Sequence, residues 1–447
     1  MSRLKNPRVL GLACAAVGAL AASGALGQRF DSKHGRTLVV GPSRGPTPTD
    51  RVDARRSGFA RERLPAGRLR IAWRRSIGQS LEHAPLVTEQ GAVIAFGGRG
   101  DVVVLDSEGV ERDRMTVGVG GLGPGAILSD GTVVTVNAAG EVVGLRDGVV
   151  RFRTRVGDRG VVVRVAPVAL DDGGVAVANG AELATLDAEG GLRARAALVE
   201  PASEVLTSQI LATTTSPSGP CLLLVDSGGT VYTWMPGREP SRAGSLGGSA
   251  DGGAALADEH TLLAVIDSTR LVALDLDHGA LVTRATTSAG WLLGPPALLG
   301  RTAFVELIVP GAVLSLGIDP QGRELSRTSL STYAPAALAD GGSTPMLAAT
   351  RTATLVDATG TLAFATPDGH VGIRSTGGVD SLGELVCGRG ATPQTSSVPN
   401  APPGLIVQSG GAPRPSAGFA GLAPAGAGAF LIACENGTIL KIVEDKS

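Results

Sequence analysis

Net charge is the first thing this chain lacks. Its 40 Lys and Arg against 41 Asp and Glu leave −1 at pH 7. Global charge therefore gives no argument for nucleic acid or an acidic membrane as partner. Lysine is almost absent, standing only as Lys5, Lys33, Lys441 and Lys446. That reliance on arginine reads as a compositional bias of the genome rather than as guanidinium chemistry. Aromatics are scarce as well, with 3 Trp and 2 Tyr. The histidines (His34, His83, His260, His278 and His370) never fall at helical metal-binding spacing, so no metal ligands are assigned. Long helical periodicity is also missing. Apolar runs are short and end in glycine-rich turns, which excludes a helical fold.

What is abundant is glycine, at 65 residues, about twice the usual share of roughly 7%. Many short strands joined by tight turns need it, because such turns require positive φ. The first residues are of another kind. Arg3, Lys5 and Arg8 precede an uncharged apolar run, Val9–Leu20, and Ala25-Leu26-Gly27 is a small-x-small cleavage site. Residues 1–27 read as an export signal that would leave Gln28 as the new N-terminus. Two alternatives stay open: an uncleaved anchor over Val9–Gly27 and a lipid on Cys14. Residues 28–68 form a basic Gly/Pro/Arg-rich linker, read as a solvated tether partly laid along the domain surface.

From residue 69 to 447 one unit recurs. Its centre, Asp101-Val-Val-Val-Leu105, returns at residues 141–145, 182–186, 230–234, 270–274, 312–316, 370–374 and 438–442. One column is aliphatic every time: Val102, Val142, Leu183, Val231, Leu271, Val313, Val371 and Ile439. The units end about 39 to 52 residues apart, the period of a four-stranded propeller blade. In the first unit, strands are expected at Ala84–Thr88, Gly91–Phe96, Asp101–Leu105 and Glu111–Val117. Apolar columns three residues apart, as at Val102 and Leu105, would put one residue in water on a one-faced sheet. Blades packed on both faces need consecutive apolar residues instead. Several units open with X-Pro, at Pro85, Pro124, Pro167, Pro295 and Pro335, where a strand's first position tolerates the missing N–H.

The expected fold is all-β, an eight-bladed propeller. Seven units lie between about 82 and 383, and the eighth, 419–443, runs out of chain before its outer strand. The orphan strand 69–78 can supply it and close the ring. An insertion over 385–418, rich in Pro, Ser, Thr and Gly, interrupts the pattern.

The VVVLDSEG and LVALDLDHG units, with the run Asp53-Ala-Arg-Arg-Ser-Gly58 leading to Trp73, resemble the PQQ-like β-propeller repeats of the quinoprotein alcohol dehydrogenase-like superfamily. That superfamily includes the propeller lipoprotein of the outer-membrane β-barrel assembly machinery. The resemblance covers roughly residues 50–445. A working quinoprotein of this kind implies a vicinal cysteine pair, a calcium-holding set and a tryptophan in each docking motif. Here no two cysteines are adjacent and tryptophan stands only at 73, 234 and 291. No cofactor is expected, and Trp234 falls in an aliphatic column as a packing residue.

Other candidate chemistry reduces to structure. Gly118–Gly123 fits a dinucleotide fingerprint, but Pro124 and a strand follow where a helix is required. Gly41-Pro-Ser-Arg-Gly45 fits a nucleophile elbow, and Pro46-Thr-Pro48 forbids its helix. Asp275 and Asp277 read as turn carboxylates, without the further ligands a calcium loop needs. His83, beside a blade entrance, reads as a surface or turn histidine, with a channel-facing position as the alternative. Cys387 and Cys434 are placed for a disulfide that ties the insertion down, and Cys221 as a buried thiol. No catalytic residues are assigned. The expected function is a non-catalytic exported scaffold in the periplasm, at the outer membrane or outside the cell, binding an envelope protein. Membrane contact is expected only through an uncleaved signal, a lipid anchor or the basic linker. The alternative is a small-ligand binder or enzyme with its site in the central channel. Clustered carboxylates, histidines or amides lining the channel would favour the alternative, and small apolar residues there the scaffold.

Overall fold

The computed structural model describes residues 45–118, 120–157, 165–170, 172–198, 208–216, 219–250, 253–331, 353–366, 370–382, 386–387 and 418–446. The segment expected to be an export signal, the first part of the linker and nearly all of the insertion lie outside them. Among the described residues the regular structure is strand, arranged as eight sheets around one axis. The protein is an eight-bladed β-propeller.

Blade 1 shows the construction. Its strands are Leu86–Val87, Val93–Phe96, Asp101–Leu105 and Glu111–Thr116, each antiparallel to the next. The inner strand is shorter than its sequence suggests, because Pro85 donates no ladder bond and Thr88 already opens the next turn, accepting from Gly91 N at 2.9 Å. Turns of the form Asp-x-x-Gly join the outer strand pair. In blade 1 the Asp106 carboxylate accepts from the amides of Glu108 (3.0 Å) and Val110 (2.9 Å). Gly109 sits at φ +76, and a Cβ there would lie 2.7 Å from the Trp73 ring. Asp187 and Asp319 hold equivalent turns, and Asp357 makes the same kind of turn between the first two strands of blade 7. The carboxylate stands in for a missing backbone acceptor, which is why the pair recurs with the strands.

The recurring column has a single structural meaning. Val102 packs with blade 2 residues such as Ile127 and Val143, whereas its neighbour Val103 packs with blade 8 residues such as Leu431 and Ile439. Consecutive residues thus serve opposite neighbours. Every member of the column faces the following blade: Val142 meets blade 3, Leu183 blade 4, Val231 blade 5, Leu271 blade 6, Val313 blade 7, Val371 blade 8 and Ile439 blade 1. Each such burial contributes about 1.5–3 kcal/mol.

The ring closes as expected. Leu69–Ser76 pairs antiparallel with Thr438–Glu444, from Leu69 opposite Glu444 to Ser76 opposite Thr438, as the outer strand of blade 8. The remaining strands of that blade are Phe419–Pro424 and Ala429–Cys434. Cys387 is joined to Cys434, with Cα atoms 5.5 Å apart.

Among the described residues blade 7 alone has a fifth strand. Phe59–Ala60, from the basic segment before the propeller, lies parallel to Val356–Asp357 on the channel side of the inner strand.

Candidate functional site

That extra strand is the end of a longer intrusion. Residues 45–68 are no solvated tether. They run inside the ring, because the inner strand of each blade has a free edge on the channel side, and a free edge needs partners. Thr47 exchanges backbone bonds with Val87 of blade 1, with Val87 N donating at 2.9 Å. Ile127 N of blade 2 donates to Pro48 O at 2.7 Å. Leu256 N of blade 5 donates to Arg55 O, Leu298 N of blade 6 to Ser57 O, and Val356 N of blade 7 to Gly58 O, at 2.9 to 3.0 Å. The Thr47 hydroxyl donates to Pro424 O of blade 8 at 2.7 Å. Ala54 packs on the cluster shared by blades 3 and 4. The arm therefore touches every blade.

Two arginines complete it. Arg51 donates through Nη2 to Pro296 O (2.6 Å) and Pro295 O (3.2 Å), and through Nη1 to Thr354 O (3.4 Å). Arg56, buried, donates through Nη2 to Ala166 O (2.7 Å) and Pro167 O (3.4 Å) of blade 3, and through Nη1 to Thr49 Oγ1 and Asp50 O. The X-Pro entrances explain the choice of residue. Proline offers a carbonyl and no N–H, so the entrances are rich in acceptors, and a guanidinium is donor-only with a forked reach. Arg56 leaves the chain between residues held by blades 5 and 6 and ends on blade 3, so it spans the lumen. Burial pushes the Arg51 pKa down to about 10, against the opposing pull of Asp50, Asp53 and Glu306. Burial lowers Arg56 too. At about 10, Arg51 stays protonated at neutral pH and enters the channel charged.

The arm's backbone is bent hard to do this. Arg51, Val52 and Arg56 hold φ of 58, 78 and 58 degrees, in a region that side-chain-bearing residues avoid. Asp53 fixes the bend by accepting from the amides of Arg55 and Ser57 and from the Ser57 hydroxyl at 2.6 Å. Gly58, at φ +64, is required because a Cβ would fall 2.9 Å from Arg51 Nη2. The chain then leaves under blades 7 and 8. Leu64 N donates to Asp357 Oδ2, and the carbonyls of Arg63 and Arg68 accept from Gly428 N and Asp445 N.

The arm bonds near the exit ends of the inner strands. It thereby closes the face where the turns between first and second strands, and between third and fourth, are gathered. On this arm face, at the seam of blades 8 and 1, lies a groove of about 610 Å³ bordered by Arg63, Trp73, Glu108, Ala427 and Lys441. Trp73 Nε1 and Lys441 Nζ both donate to Ser107 O, at 2.9 and 3.1 Å, and bind the seam together. The inner strands of blades 1, 2, 3 and 5, Leu86–Val87, Ala126–Ile127, Val168–Ala169 and Ala254–Leu256, are made of small or aliphatic residues.

The other sequence candidates scatter. His83 is buried beside the blade 1 entrance, not on the surface. His260 pairs with Asp277 at 2.9 Å, and His278 with Asp275 at 3.0 Å, in an exposed turn of blade 5. The Asp275 carboxylate raises His278 above its ordinary value and is lowered in return. Among the described residues no group of three or more His, Cys, Asp or Glu is placed to hold a metal. Gly118 and Gly120–Gly123 connect blade 1 to the inner strand Ala126–Ile127, with no helix. Trp234 is a packing residue, 1% exposed, with Nε1 donating to Arg238 O at 3.0 Å. Cys221 is a buried thiol. His34 and the elbow-like stretch before Gly45 lie outside the described residues. Sequence reasoning missed Arg51 and Arg56 as channel residues. The available signal was their position among small and turn-forming residues upstream of acceptor-rich X-Pro entrances.

No family model matches the chain, and no curated protein does. Solved structures do. BamB from Moraxella catarrhalis is similar at 15% identity and a TM-score of 0.51, over 85% of this chain and 98% of that one. A computationally designed protein, Ika8, is similar at 13% identity and a TM-score of 0.55, over 86% and 99%. At such identities the likeness is one of fold.

Proposed function

We propose that this protein is an exported, non-catalytic propeller that serves as a binding scaffold for a protein partner in the cell envelope. The observation that carries this reading is the filled channel. A propeller's axis is the natural concave site for a small ligand. In this chain one end of it is occupied by Thr47–Gly58, whose polar groups are spent on the blades. What varies from blade to blade, and is free to recognise a partner, is the connecting loops of the opposite face. The basic charge and apolar run ahead of the arm support export, and the likeness to BamB supports a scaffold only by analogy of fold. The test is affinity capture of the full chain from envelope extract, with native mass spectrometry of the purified protein. A protein recovered in stoichiometric amount, and lost when opposite-face loops are replaced, is the expected result. Stoichiometric retention of a small molecule with no protein partner would sink the reading.

A further inference from the structure

The exposed aliphatic residues of this propeller are not scattered. Large hydrophobics that stand 36 to 59% exposed occur at the first two positions of outer strands, or just before them: Val110, Val149, Leu192, Val282, Leu325 and Val379 represent blades 1, 2, 3, 5, 6 and 7. An outer strand begins on the arm face and ends on the opposite face, so these residues form a broken ring around the rim of the arm face. The far ends of the same strands are of another chemistry. Thr116, Ser245, Thr286, Ser331 and Ser381 close blades 1, 4, 5, 6 and 7. Outer strands are sheet edges, which gain nothing in solution from displayed aliphatics.

A second observation gives the ring a direction. The described chain begins at Gly45, packed against Val87, Thr88 and Glu89 on the arm face. The segment upstream, with the basic residues Arg29, Lys33, Arg36 and Arg44 and the uncharged run Val9–Leu20, therefore departs from that same face. Among the described residues no helix is long and apolar enough to cross a membrane.

We propose that the arm face lies on a lipid bilayer, with the aliphatic rim seated at the headgroup–acyl boundary and the opposite face turned away. Six separated side chains inserted shallowly give weak, reversible contact that orients a protein already held nearby. This inference does not depend on the scaffold reading, since a propeller of any function can rest on a membrane.

Two of the three tryptophans report the orientation, in a Trp234→Phe background that removes the third, which is buried in blade 4. Trp73 bonds to a turn on the arm face, and Trp291 opens the inner strand of blade 6 at the opposite end. The full chain is bound to phosphatidylcholine vesicles carrying brominated acyl chains, and tryptophan quenching is measured. The Trp291→Phe variant should keep the parent's quenching, and Trp73→Phe should lose it by about threefold or more. Replacing Val149, Leu192, Val282 and Leu325 together by serine should cut the quenching of Trp73 by a similar factor, and alanine at Thr116, Thr286 and Ser381 should leave it unchanged. Quenching that follows Trp291, that is absent from both tryptophans while the vesicles are bound, or that ignores the serine variant overturns the proposal. Occupation of the rim by a second protein instead of vesicles overturns it as well.

Discussion

The blades and the arm are built on opposite plans. A blade residue repeats: the side chain at Val102 does for blades 1 and 2 what Leu183 does for blades 3 and 4. An arm residue does not. Arg56 reaches across the lumen to Ala166 and Pro167, a bond that no repeat position duplicates among the described residues. The blades draw stability from many interchangeable apolar contacts, as in other nearest-neighbour arrays. The arm draws it from a few polar bonds distributed over seven of the blades. The difference teaches that a propeller ring, although closed by its own outer strand, still has eight unsatisfied inner edges, and that one short irregular segment can serve most of them.

The largest effect should come from stripping the arm of its donors. Replacing Arg51 and Arg56 together by alanine leaves the carbonyls of Pro295, Pro296, Thr354, Ala166 and Pro167 without their guanidinium partners. A loss of about 4 kcal/mol or more is expected, at roughly 1–3 kcal/mol per buried group left unsatisfied, read from the urea midpoint at constant m-value. A loss under about 1 kcal/mol would make the arm an ornament on an independent ring.

Next in size is the equivalence of the blades. Val102→Ala, Val142→Ala and Val231→Ala remove the same groups from the interfaces of blades 1 and 2, 2 and 3, and 4 and 5, all at 0–1% exposure. Each should cost about 1.5–3 kcal/mol, and the three should agree within about 1 kcal/mol. Values that differ widely would show that the repeat is one of sequence and not of energy.

The smallest effect sharpens the comparison on the blade side. Asp106 is held below its ordinary pKa chiefly by the backbone N–H of Val110, against the opposing effect of burial, with Arg112 and the Glu108 N–H adding to the depression. A depressed carboxylate stabilises the fold above the unfolded carboxylate value of about 4 and loses that contribution as pH falls through its folded value. The Tm of Asp106→Asn should therefore lie slightly below the parent at pH 7, and the gap should close toward pH 3.

This division also governs what the sequence could reveal. The blade count, the aliphatic column and the closing strand were legible because each is stated several times over or is left conspicuously unpaired, as Leu69–Ser76 is. Alternation between two packed faces was legible from apolar residues three apart, and Val102 and Val103 do face opposite neighbours. The arm was not legible, because its bonds join residues far apart in sequence: Thr47 to Pro424, Arg51 to Pro296. Its composition, rich in Arg, Pro and Gly, is that of a solvated linker. Only the geometry of the acceptor-rich X-Pro entrances turns those arginines into buried donors. His83 was misjudged for a related reason, since burial beside a blade entrance leaves no periodic trace.

The central claim is that residues 45–60 are an integral lining of the ring. Amide hydrogen exchange at the inner edges tests it most directly, at Val87, Ile127, Leu256, Leu298 and Val356, whose N–H groups donate to arm carbonyls. The account predicts that these amides exchange as slowly as those of the central strands, opening only with the whole propeller. Exchange at the rate of a free sheet edge, while the central strands stay protected, would contradict it.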